Sequence, residues 1–196
     1  MRNWTGLFIA TAVLIGMAAF GGEAETGMSA EMTESMARAA NPNEHHEHLA
    51  RLVGEWEWTS KIWMQPGAPP METKGNAVNE MLMGGRFLQS RFNGSFMGQP
   101  FNGISIEGFD NLQERHVGVW FDSGGTIMLN FLGECSEGGK ILTTSAKYID
   151  PMSGKPAKMK GKTTVVNDNE YRFESWNSDE SGEFQKTMEI NYKRKS

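Results

Sequence analysis

With 196 residues, 38% hydrophobic and 22% charged, the chain is long enough for one domain with a sizeable core and short for two. A formal net charge of −5 with scattered Lys and Arg excludes the basic footprint of a nucleic-acid binder. Cys135 is the only cysteine, which excludes an internal disulfide, so the fold must rest on its core.

The N-terminus reads as an export signal. Arg2 precedes an uncharged, mostly apolar run from Leu7 to Phe20. That run is short of the roughly 20 apolar residues that span a bilayer, and it fits the apolar segment of a secretory signal. Small residues follow, and Gly22-Glu23-Ala24 offers cleavage after Ala24, giving a signal peptide over 1–24. The alternative is an uncleaved anchor. With cleavage, the mature chain has no membrane span and is expected to be secreted or periplasmic. Residues 25–42 are rich in Ala, Ser, Thr and Glu. Met28, Met32 and Met36 would permit a weak amphipathic helix, but the apolar face is thin, so a flexible linker is expected. The folded domain is then 43–196.

A helix signal follows. Pro42 stands near a helix start, Asn41 or Asn43 can cap it, and Glu44 falls in the first turn. Leu49, Leu52, Val53 and Trp56 repeat at spacings of three and four, and Gly54 interrupts them, so the helix should end near Val53. From Glu55 onward the period is two. Ten candidate strands, 55–64, 72–83, 86–95, 100–109, 116–121, 126–133, 140–149, 158–166, 170–177 and 184–193, are separated by Gly-, Pro- and Asp-rich turns. Uniformly short connections favour an antiparallel up-and-down β-barrel of eight to ten strands over a sandwich, with the short helix across one end. Gly75, Gly103, Gly118 and Gly161 lie inside strands, where they are expected to mark bends or bulges that let a barrel curl.

Several stretches then resemble one bacterial family: "HLARLVGEWEW", "GGRFLQSRFNGSFMGQPFNGISIEGFDN", "VGVWFDSGGTIM", and the closing Met188-Glu189-Ile190-x-Tyr192-x-Arg194. The chain is similar over about 43–194 to the domain of unknown function 1579 family, grouped with calycin-like, lipocalin-type barrels. The resemblance implies a barrel that could hold a ligand. It brings no catalytic residue with it.

The candidate chemistry is sparse. Glu44-His45-His46-Glu47-His48 crowds three of four histidines into one helical turn. At 100° per residue, His45 falls with Leu49 and Leu52, His46 on the edge of that stripe, and His48 beside Glu44. Glu44 and His48, with His45, are the candidate metal ligands. A zinc site wants at least three protein ligands, so the third must come from His45 or a strand. Without it the cluster reads as the capped helix start, and no bound metal is expected. Arg86 and Arg91 could hold an anionic group in the lumen, or could form ion pairs at the barrel end, with Asp110 or Asp122 as partners. Glu107 and His116 lie on neighbouring strands and could pair as acid and base. His116 is also the one strand histidine that could take a haem, as some calycin-like barrels do. No nucleophile with an activating base is legible, so an enzyme is not expected. The Gly-Gly pairs at 84–85, 124–125 and 138–139 form no phosphate loop, and no cofactor is expected. The leading expectation is a binder of a small apolar or amphipathic molecule, with Trp56, Glu107, His116 and Trp120 in the lumen and Arg86 or Arg91 as its polar contact. The alternatives are a filled barrel acting as an interaction module, and a haem or metal protein. The oligomeric state is open.

Overall fold

A computed structural model describes residues 29–136, 138–179 and 181–196. The expected signal peptide and the start of the linker lie outside these residues. Two helices precede ten strands: α1 (Ala30–Ala40), α2 (Glu44–Ala50), β1 (Gly54–Ile62), β2 (Met71–Leu82), β3 (Phe87–Phe96), β4 (Gln99–Asp110), β5 (Arg115–Asp122), β6 (Leu129–Ser136), β7 (Ile141–Ile149), β8 (Pro156–Asn167), β9 (Glu170–Ser178) and β10 (Phe184–Arg194). Each strand pairs antiparallel with its sequence neighbour, and β1 pairs with β10, so the sheet closes with no edge. The expected barrel is observed, with ten strands. The strand expected at 126–133 begins three residues late, because the chain turns through Ser123–Gly125 and stays out of the ladder until Leu129.

The linker expectation is corrected in part. Residues 30–40 are helical, with Ser29 capping α1 through a hydrogen bond that its hydroxyl accepts from Met32 N (3.1 Å). The helix buries no residue, as its thin apolar stripe foretold. It is attached instead at its C-terminal end. Asn111, in the β4–β5 turn, donates to the carbonyls of Arg38 (2.6 Å) and Asn41 (2.7 Å).

Alternation along the strands directs Trp56, Trp58 and Ser60 inward from β1, and Tyr192, Ile190 and Met188 from β10. Trp56, Trp58, Ala77, Tyr171 and Tyr192 form the buried cluster, packed against Leu52, Phe92, Phe173 and Ile190. Tyr171 and Tyr192 stack at 4.1 Å between ring centroids, and Trp56 meets Tyr171 edge-on at 4.6 Å. Burial pushes both tyrosine hydroxyls well above their ordinary range, so they stay neutral. Each such ring removes roughly 150–250 Å2 from water, which at about 25 cal/mol per Å2 is a large share of what holds a barrel without disulfides.

The strand glycines have a different reason from the one expected. The register runs unbroken through Gly75, Gly103, Gly118 and Gly161; the shifts fall at Val165/Asn167 and Lys186/Met188. A Cβ at Gly75 would lie 2.4 Å from the Trp58 ring, one at Gly103 2.4 Å from Trp120, and one at Gly118 2.2 Å from Phe131. These glycines are the floors on which aromatic rings lie flat across the lumen.

Candidate functional site

The helix end of the barrel is built from α2 upward. Asn43 caps α2: its Oδ1 accepts from His45 N (3.0 Å), and its own N–H donates to His46 Nδ1 (3.0 Å). His46 thus takes the place that Glu or Gln holds in a capping box. At the other end Arg194 donates to the carbonyls of Arg51 (3.0 Å), Val53 (2.6 Å) and Asp168 (2.8 Å), with its guanidinium 4.2 Å over the Trp56 ring. Orphan carbonyls after α2 are thereby satisfied, and the helix is seated on the barrel.

Seated there, α2 turns its histidines into the barrel mouth. His45 stacks on Phe109, with centroids 3.8 Å apart and planes 8° from parallel. Its ring lies 5.7 Å from His116 and 5.8 Å from His48. His48 Nδ1 is 3.9 Å from the sulfur of Cys135, which projects inward from β6. The donor atoms of His45, His48 and Cys135 all lie within 4.8 Å of one another. Beneath them His116 Nδ1 meets Glu107 Oε1 at 3.1 Å, and the His116 side chain is 1% exposed. His45 Nδ1 and His116 Nε2 are buried with no hydrogen-bond partner among the described residues.

The electrostatics suit neutral donors. Burial lowers the pKa of His45, His46 and His48 below 6.5, with His116 and Arg51 adding to it. Burial, then the nearby Glu107 charge, pushes the Cys135 thiol up. A raised thiol beside a neutral imidazole is not an activated nucleophile, so the pair has no thiolate–imidazolium character.

The structure thus brings together His45, His48, His116 and Glu107 of the residues singled out from sequence. Glu44 is exposed in the first turn of α2 and is not in the cluster; Cys135, which the sequence did not single out as a ligand, takes the place expected for it. It lies beyond the strand expected at 126–133, because β6 runs on to Ser136, and the contact spans 87 positions of sequence and needs the closed barrel. Two lumen assignments are corrected. Arg86 donates at the rim to Ala40 O (2.6 and 3.1 Å) and Met83 O (3.0 Å), so it ties α1 to the turn. Carbonyls, not Asp110 or Asp122, are its partners. Arg91 faces outward, 55% exposed, and pairs with Glu80 at 2.9 Å. Trp56 is in the lumen but wholly buried, its indole donating to Leu52 O (2.9 Å), so it serves as core.

Trp120 faces the other half of the lumen. Its indole donates to Asp122 Oδ2 (2.7 Å), and its ring lies 5.2 Å from Phe92 and 6.4 Å from Phe101. These rings and Phe131 are inward-facing yet only half-buried. The depression of about 440 Å3 lined by Arg115, Leu132, Lys160, Lys162 and Trp176 is a shallow groove on the outer wall, away from both parts of the lumen.

Among solved structures, the chain is similar to Rv2717c from M. tuberculosis, at 14% identity, covering 80% of this chain and 100% of that one with a TM-score of 0.60. It is also similar to the S-type phycobiliprotein lyase CPES from Guillardia theta, at 12% identity, covering 82% and 97%, with a TM-score of 0.58. At these identities the likeness is one of fold. No curated protein matches. The family model "Protein of unknown function (DUF1579)" matches residues 41–194, and the chain belongs to that family.

Proposed function

We propose that the protein is exported and binds a small apolar or amphipathic molecule in the half of the lumen away from α2. The observation that carries this reading is the half-burial of Phe92, Phe101, Trp120 and Phe131. These aromatics point inward, where a filled barrel would have hidden them as it hides Trp56 and Tyr192. Apolar walls with few polar groups are the usual make-up of small-molecule sites. Ser105, on β4 opposite Trp120, supplies the polar contact that Arg86 and Arg91 do not. The apolar run at Leu7–Phe20 supports export. A phycobiliprotein lyase shares the fold, but a fold alone assigns no ligand.

Native mass spectrometry of the protein purified from its own host tests this. A mass excess that disappears on denaturation is expected. Anilinonaphthalene sulfonate should also bind with energy transfer from tryptophan, and Ser105→Phe, which fills the lumen beside Trp120, should abolish it. No mass excess, together with probe binding that Ser105→Phe leaves unchanged, would sink the proposal and favour a filled interaction module.

A further inference from the structure

We infer that His45, His48 and Cys135 form a site for a zinc-class divalent cation, with the His116 ring 5.7 Å from that of His45 at its side. Two imidazoles and a thiolate are the donor types that zinc selects. The geometry is close to what the metal needs. Zinc bonds of roughly 2.3 Å to sulfur and 2.0–2.1 Å to nitrogen, at tetrahedral angles, place those atoms about 3.5 Å apart. His48 Nδ1 and Cys135 Sγ stand at 3.9 Å, and all three donors fall within 4.8 Å of one another.

Two independent features point the same way. His116 is nearly inaccessible, yet its Nε2 has no partner among the described residues, and neither has the buried Nδ1 of His45. Buried imidazole nitrogens are seldom left without a partner, and an absent ion or water accounts for such atoms. The second is the Glu107 carboxylate on His116 Nδ1. A carboxylate holding one ring nitrogen while the other is free is the usual support of a metal-bound histidine. The β6–β7 turn is also shaped around His48. Gly139 has φ +85°, and a Cβ there would lie 2.2 Å from the imidazole.

Binding is written as one cation, two neutral imidazoles and one thiol giving the bound metal and one proton, released from Cys135. The site caps the end of the barrel opposite the proposed ligand chamber, so the two readings stand or fall separately.

The test is titration of the chelator-stripped full-length protein with Zn2+ and with Co2+. One equivalent should bind, one proton should be released, and cobalt should give a thiolate charge-transfer band. Cys135→Ser should lose the band and the proton. His48→Ala should weaken binding by more than the roughly 10–100-fold typical of outer-shell changes, and Glu107→Gln should fall within that range. Circular dichroism of the metal-free variants checks their folding. Should Cys135→Ser not fold, alkylation of wild-type Cys135 with and without Zn2+ replaces it, and zinc should protect the thiol. Absence of stoichiometric binding, or cobalt bound without a thiolate band, overturns the site.

Discussion

Arg194→Lys isolates the fork geometry that seats α2. The substitution keeps the charge but replaces a planar donor fork with a single ammonium. In the native fold the guanidinium bonds three carbonyls, those of Arg51, Val53 and Asp168, and lies 4.2 Å over Trp56. An ammonium can hold one of these carbonyls well and leaves two to water. Arg194 is half-buried, so each lost bond is worth about 1 kcal/mol instead of the larger value for a buried charged pair. Loss of the stacked cation adds about 0.5–1 kcal/mol. The sum is about 2.5–3 kcal/mol, or roughly 5–12 °C in Tm for a chain of this size. Urea unfolding followed by tryptophan fluorescence should show a midpoint lower by on the order of 1 M, with the slope unchanged. A Lys variant within 0.5 kcal/mol of wild type would show that the carbonyls are equally well satisfied by water, and the seating argument would fail.

Other substitutions probe the remaining contacts. Gly94→Ala places a Cβ 2.5 Å from the Trp58 ring and 2.9 Å from Lys74 O, where neither backbone nor indole can retreat, so it should cost about 1–3 kcal/mol in urea unfolding. Asn111→Ala removes the Asn111 part of the α1 attachment and leaves the Arg86 bonds to Ala40 O; since α1 buries nothing, limited proteolysis should accelerate within 30–42 while the barrel's melting midpoint moves by less than about 1 kcal/mol equivalent. Stability should also depend on pH in a defined direction. The folded state holds His45, His46 and His48 below 6.5, so as pH falls through 6.5 the unfolded chain takes protons first. Their contribution is complete above 6.5 and is lost below it, so the urea midpoint should be flat from pH 7 to 8 and drop toward pH 5.5. A midpoint that rises on acidification through that window would contradict the burial of the three imidazoles.

Much of the architecture was legible in the chain because alternation with a period of two and short turn segments are local properties. Ten strand segments, their order and the up-and-down connection followed from them, and the α2 cap was narrowed to Asn41 or Asn43, of which the fold uses Asn43. The family pieces also acquire a cause: Phe109 carries His45, Asp110 makes the turn by accepting from Leu112 and Gln113, and Asn111 holds the N-terminal segment. What misled was direction. Arg86 has the inward parity of β3 but sits in the turn, where free carbonyls captured it; Arg91 has the outward parity, which was visible and outweighed by its chemistry.

Sequence alone determined an up-and-down barrel of eight to ten strands with a short helix at one end. Closure of the ladder between β1 and β10 was decided only in three dimensions, and with it the opposition of α2 and β6 that sets Cys135 beside His48. The physical reason is range. Periodicity reports which face a residue takes within its own element, whereas a site made from a helix at residue 48 and a strand at residue 135 exists only after every intervening hairpin has been wound into place.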